Sequence, residues 1–320
     1  MKKIILDVDT GIDDAQAIMF ALSLPTLDVI AITCVKGNVD VDIVCLNTLR
    51  ILRVCDRLDI PVYRGATCPI LGTSSVPTIH HGKDGLGDCP DSDSSLSSMI
   101  KGEHAVSALC RFAKQYPGEI TLLALAPLTN VALALRLDDS FGRRLNRIII
   151  MGGNLTASGS RASITGDFNF VADPEAAFVC TNEISSPITL LPYDVCYKND
   201  ITWEQLFDVL ASPSKKMRYL SAIMEQSIKY KRDELGLARF YTCDPVTVLL
   251  AYDMNFASTE CANVMVELHG EYTRGLSVFA KKQTRRSTLP QNEETHSCDI
   301  VLNFDVERFW CIFKEMLNVV

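Results

Sequence analysis

The chain has 320 residues, 48% hydrophobic and 22% charged, which leaves room for one large domain or two small ones and excludes a disordered tail or a collagen-like repeat. Its net charge of −8 gives no global positive field to draw a polyanion, so a nucleic-acid polymer is not an expected partner. Twelve cysteines, scattered without a CxxC pair or zinc spacing, read as reduced thiols packed as small apolar residues.

The first residues, Met1 to Leu6, carry two lysines and a short apolar run, but Asp7, Asp9, Asp13 and Asp14 interrupt it before a signal-peptide core of usable length. No other stretch approaches the roughly 18 apolar residues of a membrane span, so a cytoplasmic protein with no membrane partner is expected. Lys3 to Leu6 reads as a buried strand, Asp13 to Leu24 as a helix, Val29 to Val35 as a second strand and Val41 to Cys55 as a second helix. Further strands are expected at Pro61 to Tyr63, Thr121 to Leu125, Arg147 to Met151 and Thr189 to Leu191, and helices at His104 to Gln115, Asn130 to Leu137 and Pro174 to Thr181. Alternation of this kind predicts an α/β fold with an open, mainly parallel twisted sheet flanked by helices.

The final third changes character, with helices expected at Trp203 to Leu210, Ser214 to Tyr230 and Asp244 to Tyr252, and a strand pair at Val264 to Leu268 and Leu276 to Ala280. No linker sets it apart, so 1–320 reads as one domain with a helical elaboration. Thr73 to Met99 and Lys281 to Ser297 lack periodicity and read as long loops. The basic cluster Lys281, Lys282, Arg285 and Arg286 reads as a solvated part of the second loop.

The most informative segment runs Ile4-Ile5-Leu6-Asp7-Val8-Asp9-Thr10-Gly11-Ile12-Asp13-Asp14-Ala15. A buried strand enters four carboxylates, and Gly11 supplies backbone freedom for a tight strand-to-helix turn. Ligands of open α/β sheets sit outside the carboxyl ends of the strands. Acidic residues in a first helical turn are stabilising there, which accounts for Asp13 and Asp14 but not for Asp7 and Asp9. Carboxylates so close raise one another's pKa unless a cation neutralises them, and an all-carboxylate set selects a hard ion, Ca²⁺ or Mg²⁺. Two reaction classes begin from such a strand. One is the haloacid-dehalogenase-like phosphatases, whose Asp-x-Asp pattern Asp7-Val8-Asp9 fits; the other is a calcium-dependent hydrolase in which an aspartate and the metal activate water.

The rest of the chain favours the second. Asp7 to Ala15 resembles the Asp-x-Asp-Pro-Gly-x-Asp-Asp signature of the inosine-uridine preferring nucleoside hydrolases, with Thr10 where proline is commoner. Gly37-Asn38, His81-Gly82 before Gly85-Leu86-Gly87, Pro127-Leu128-Thr129-Asn130, Met151-Gly152-Gly153, Asp167-Phe168-Asn169-Phe170, Asp173-Pro174-Glu175-Ala176-Ala177, Cys243-Asp244-Pro245 and Leu302-Asn303-Phe304-Asp305 follow in that family's order. The similarity spans essentially the whole chain.

This resemblance implies hydrolysis of the N-glycosidic bond of ribonucleosides to ribose and free base, a nucleoside as the small-molecule partner, a Rossmann-like core, and a homodimer or homotetramer. It implies Ca²⁺ held by Asp9, Asp14, the Leu125 carbonyl and Asp244, with Asp9 also the general base toward a metal-bound water. Asp13, Asn38 and Asn169 correspond to residues that grip the sugar or orient the water, Asp167 to one that binds the 5′-hydroxyl, and Met151 to the ribose floor. At the leaving-group end Cys243 stands where many members have a histidine able to protonate the base, and His81 is a second candidate donor or base contact. Asp167 stands where glutamate is usual, and between Leu155 and Thr165 the expected asparagine is replaced, Ser160 or Arg161 lying nearest. Glu225 to Phe240 resembles the flap that contacts the base, and with Tyr241 it offers Tyr230, Lys231, Arg232, Arg239 and Phe240. A catalytically impaired nucleoside- or sugar-binding relative is the non-enzymatic alternative.

Overall fold

The computed structural model describes residues 1–72, 79–91, 93–160, 163–281 and 297–318. In chain order the elements are β1 (Lys2–Val8), α1 (Ile12–Ser23), β2 (Leu27–Cys34), α2 (Val41–Val54), β3 (Val62–Arg64), α3 (Ala105–Gln115), β4 (Ile120–Ala124), α4 (Thr129–Leu137), α5 (Phe141–Arg144) and β5 (Leu145–Met151). There follow α6 (Phe168–Ala172), α7 (Pro174–Glu183), β6 (Ile188–Leu191), α8 (Tyr193–Lys198), β7 (Ile201–Thr202), α9 (Trp203–Leu210), α10 (Lys215–Lys229) and β8 (Arg239–Phe240). The last elements are α11 (Asp244–Tyr252), β9 (Ala257–Val266), β10 (Ser277–Lys281), β11 (Ser297–Phe304) and α12 (Val306–Asn318).

Nine strands form one sheet in the order β10-β9-β11-β6-β5-β4-β1-β2-β3. From β3 to β11 every neighbouring pair is parallel, whereas β9 runs antiparallel to both β11 and β10. The central strands β1, β4, β5 and β6 are largely apolar without alternation because both faces are covered. Ile4, Leu6 and Val8 of β1 join a core with Phe20, Leu49, Leu220, Leu249 and Phe313 from α1, α2, α10, α11 and α12. Ile5, pointing the other way, joins a second core with Leu109, Val131 and Cys180 from α3, α4 and α7. A helix layer on each face makes the expected α/β sandwich.

The strand order reverses at β1. β2 and β3 lie to one side of it and β4, β5 and β6 to the other, so the connections leave β1 and β4 in opposite directions and open a crevice at their carboxyl ends. Asn130, in the first turn of α4, ties that edge together. Its amide donates to Asp7 Oδ1 at 2.8 Å and to the Cys34 carbonyl at 3.0 Å, and its oxygen accepts the Ala66 N–H at 2.9 Å.

The structure extends the sequence reading with the short elements α5, α6, α8, β7 and β8 and with two longer changes. β11 and α12 were not anticipated, because Asp299 and Asn303 interrupt the apolar run of β11; Asp299 is matched by Arg147 of β5 at 3.3 Å. β9 begins seven residues before the expected Val264, its exposed first half pairing with β11. Within the two expected loops, residues 73–78, 92 and 282–296 lie outside the described residues, and with them Lys282, Arg285 and Arg286. Short turns occupy Ile79–His81 and Ser94–Met99. All twelve cysteines are free thiols, seven of them buried. Among the described residues no helix is long and apolar enough to cross a membrane.

Candidate active site

The crevice holds a cavity of about 430 Å³, in the size range of small-molecule sites. Asp9, Asp13, Asn38, His81, Leu125, Met151, Asp167, Asn169, Cys243 and Asp244 all line it, and Asp14 lies directly behind. These residues are brought to one place from the end of β1, from α1, β5, α6 and α11, and from the loops after β2, β3 and β4, whereas Asp7, Arg232 and Arg239 do not line the cavity.

The carboxylates come from two helix N-termini. Asp13 and Asp14 sit in the first turn of α1 and Asp244 opens α11 with Pro245 behind it; the two helices pack against each other. Asp14 reaches back, its Oδ2 accepting the Gly11 N–H at 2.9 Å and its Oδ1 the Asp9 N–H at 3.3 Å. Asp9 Oδ2 accepts the Asn38 N–H at 2.7 Å. This closeness requires two glycines. A Cβ on Gly37 would stand 2.0 Å from Asp9 Oδ2, and one on Gly11 would stand 2.7 Å from both His81 Nδ1 and Asn38 Nδ2. Gly11 has φ −94° and ψ −163°, a conformation open to any residue, so space and not backbone freedom explains it.

One oxygen each from Asp13, Asp14 and Asp244 lies within 4.8 Å of the others. Oxygens that surround Ca²⁺ at about 2.3–2.6 Å can be no farther apart than about twice that, so the three fit a single ion. Asp13 Oδ1 is buried without a hydrogen-bond partner, as a ligand atom would be. Burial, then the charges of Asp13, Asp14 and their neighbours, pushes Asp244 well above the usual carboxylate range, and burial with the charges of Asp9 and Asp13 does the same to Asp14. Burial raises Asp9 to about 8 against the opposing Asn38 hydrogen bond. So many buried carboxyls ionise together only beside a cation. The donor set is all oxygen and fits a hard divalent ion; it holds Asp14 and Asp244 of the set expected from the sequence, together with Asp13 and without Asp9.

The sugar-side residues are equally well anchored. Asn169, on α6, donates to the Leu125 carbonyl at 2.8 Å and the Met151 carbonyl at 3.1 Å. Asp167 caps α6, its oxygens accepting the N–H groups of Gly153 at 2.7 Å, Asn169 at 3.0 Å and Phe170 at 3.3 Å. Burial nevertheless raises it to about 7. His81 accepts the Ile12 N–H on Nδ1 at 3.0 Å, which leaves its proton on Nε2, 3.8 Å from Asp13 Oδ1. Burial, then the Lys231 charge, lowers it to about 3, so the ring is a neutral donor. Cys243 precedes α11, and its thiol is pushed well above its usual range by a hydrogen bond to Cys196 and by burial. Arg161 lies outside the described residues, while Ser160 lines the cavity.

Asp7, the fourth carboxylate of the motif, is in β1 and does not line the cavity. It is fully buried and accepts from Thr33 Oγ1 at 2.6 Å as well as from Asn130. A phosphatase of the haloacid-dehalogenase kind needs that first aspartate exposed as its nucleophile, and here nothing can reach it. The cavity also contains residues the sequence did not flag, among them Gln16, His80, Tyr193, Met224 and Thr242. Tyr193 follows the end of β6, where the strand-end rule would have found it. Gln16 is a buried polar residue one turn beyond Asp13, and its side chain accepts from Thr242 at 3.0 Å.

Comparison with known proteins agrees with this geometry. A family model described as inosine-uridine preferring nucleoside hydrolase matches residues 4–311. "Probable uridine nucleosidase 2" of Arabidopsis thaliana is 34% identical over 283 residues, covering 87% of this chain and 85% of that protein. The solved structure titled "Plant nucleoside hydrolase - PpNRh1 enzyme" superimposes with a TM-score of 0.92 at 32% identity, over 100% of this chain and 99% of the other. "Inosine-Guanosine Nucleoside Hydrolase (IG-NH)" gives 0.91 at 29%, over all of both chains. With a match from the first strand into the last helix, and a crevice where the motifs meet, the chain belongs to the inosine-uridine preferring nucleoside hydrolase family and is a ribonucleoside hydrolase.

Proposed function

We propose that the protein hydrolyses the N-glycosidic bond of ribonucleosides to ribose and free nucleobase, in a Ca²⁺-dependent reaction with Asp9 as general base. The observation that carries this reading is the convergence of Asp13, Asp14 and Asp244, from distant parts of the chain, at a cavity whose other lining includes Asn38, Asn169 and the Tyr193, Tyr230, Phe240 and Tyr241 rings. Asp9, Asp14, Asp244 and the Leu125 carbonyl would hold the ion, with Asp13 beside them. When bound, Ca²⁺ supplies Lewis-acid polarisation of water and a grip on sugar hydroxyls.

The chain's own groups account for the rest. Asn38 fixes Asp9 through its backbone N–H, leaving the other carboxylate oxygen to take a proton from the attacking water. Asn169, with its amide nitrogen committed to two carbonyls, turns its oxygen toward a sugar hydroxyl. Asp13 and Asp167 accept further hydroxyl hydrogen bonds, and Met151 supplies an apolar floor. Hydrogen bonds that tighten as the ribosyl ring flattens stabilise the transition state more than the substrate, which raises turnover. The Tyr193, Tyr230, Phe240 and Tyr241 rings suit a flat base.

Reducing-sugar release from inosine, guanosine and uridine, with calcium and after chelation, tests the proposal. Ribose is expected from at least one nucleoside, with loss on chelation and recovery when calcium is returned. Calcium-dependent binding with no ribose at any protein concentration would replace the reading with a binding protein. Activity indifferent to chelation would remove the metal.

A further inference from the structure

Resting on the hydrolase reading, a question remains about the base. When the C1′–N bond breaks, its electron pair goes to the nucleobase, a poor leaving group until that charge is offset. The two candidates taken from the sequence are poorly suited to protonate it. His81 has Nδ1 occupied by the Ile12 N–H and is held neutral by burial, with Nε2 at 3.8 Å from Asp13 Oδ1, and the Cys243 thiol, a weak donor by nature, is bonded to Cys196.

Among the described residues lining the cavity, Lys231 is the single lysine or arginine. It is placed by an unusual piece of backbone. α10 does not stop at Lys229 but widens into a π-turn, Tyr230–Glu234, a conformation rare in helices and frequent at functional sites. The Leu235 N–H donates to the Tyr230 carbonyl and the Leu237 N–H to the Lys231 carbonyl, each at 3.0 Å. The ammonium lies 5.4 Å from the ring centroids of both Phe240 and Tyr241, so it stands over the aromatic surfaces suited to a base. Its charge is also felt at His81 and at Cys243, neighbours of Asp13 and Asp244 respectively. The cation therefore faces inward, between the aromatic wall and the carboxylates.

We propose that Lys231 is the leaving-group acid of this hydrolase. Water oxygen bonds C1′ and loses a proton to Asp9, the C1′–N pair passes to the base, and the Lys231 ammonium gives the base a proton. The proton on Asp9 returns to Lys231 through solvent, so that nucleoside and water become ribose and base. Positive charge and a donated proton at the site of developing negative charge act only in the transition state.

The test compares Lys231→Met and Lys231→Arg with the unaltered protein, calcium-saturated, on the better of inosine and uridine and on p-nitrophenyl β-D-ribofuranoside. The nitrophenolate of the latter departs as a stable anion and needs no proton. Lys231→Met is expected to lower kcat on the nucleoside, relative to the nitrophenyl riboside, by about 30-fold or more, toward the usual scale of general acid catalysis. Lys231→Arg keeps the charge but does not release a proton, so it should leave the ratio as low as Lys231→Met does; restoration by arginine would make the role electrostatic and overturn the acid. An unchanged ratio, whether both rates fall together or neither falls, would overturn the assignment. Thermal unfolding in parallel shows whether Lys231→Met is folded, and Lys231→Gln makes the same comparison if it is not. Release of ribose from neither substrate by the unaltered protein would instead refute the hydrolase reading.

Discussion

Asp9 is held from two directions. Its own N–H donates to Asp14, and its carboxylate takes the Asn38 N–H across the gap that Gly37 leaves open. An amide in its place keeps the shape and loses the base, so Asp9→Asn should lower kcat by more than about 100-fold, the usual scale of such a group. Steady-state ribose release measures this, and near-normal turnover would remove Asp9 from the role. That Asp9, Asp13 and Asp14 meet at the strand end was legible because a buried strand running into four carboxylates is not explained by helix-terminal stabilisation alone. Asp7 was not separable from them by sequence: side chains in a strand alternate faces, and only the pairing with Thr33 and Asn130 shows that it supports the sheet edge. Asp167 lines the cavity and in addition caps α6 through three backbone N–H groups, a role that depends on where α6 turns.

Among the elements, α4 links the site to the sheet through Asn130. Its side chain serves β1, the end of β2 and the loop after β3 at once, and it is fully buried. Asn130→Ala leaves an N–H, a carbonyl and a carboxyl without that partner, so a loss of roughly 2–4 kcal/mol is expected from unsatisfied buried groups, measured by urea unfolding of the calcium-free protein. A change below about 0.5 kcal/mol would mean that water takes over the three bonds. The central parallel strands were readable because burial on both faces makes them continuous apolar runs. β11 and α12 were not, since the strand carries Asp299 and Asn303 and the pairing partner β9 lies at its antiparallel edge. The π-turn after α10 has no sequence signature at all; the periodicity of Ser214 to Tyr230 runs straight into it.

For the molecule as a whole, burial raises Asp9 to about 8 and both Asp7 and Asp167 to about 7. A carboxyl raised in this way contributes stability that is fully present below its unfolded value, near 3.8, and is lost as pH climbs through the folded value. The calcium-free protein should therefore lose stability between about pH 4 and 8 from these groups. The proposed calcium ion would require the ionised carboxylates, so its affinity and stabilisation would grow over the same range. The rise in Tm on adding calcium should be larger at pH 8 than at pH 5, measured by thermal unfolding with and without chelator. An equal rise at both values would show that the bound ion does not rely on these buried acids.

The acid cluster joins residues 13 and 14 to residue 244, and this has a consequence for the life of the chain. While a ribosome still withholds α11, the nascent polypeptide has one half of an ion cradle and no working centre, so nucleoside cleavage switches on only late in translation. Two separately expressed pieces, divided ahead of α11, would likewise be silent alone and would report their reunion by liberating sugar.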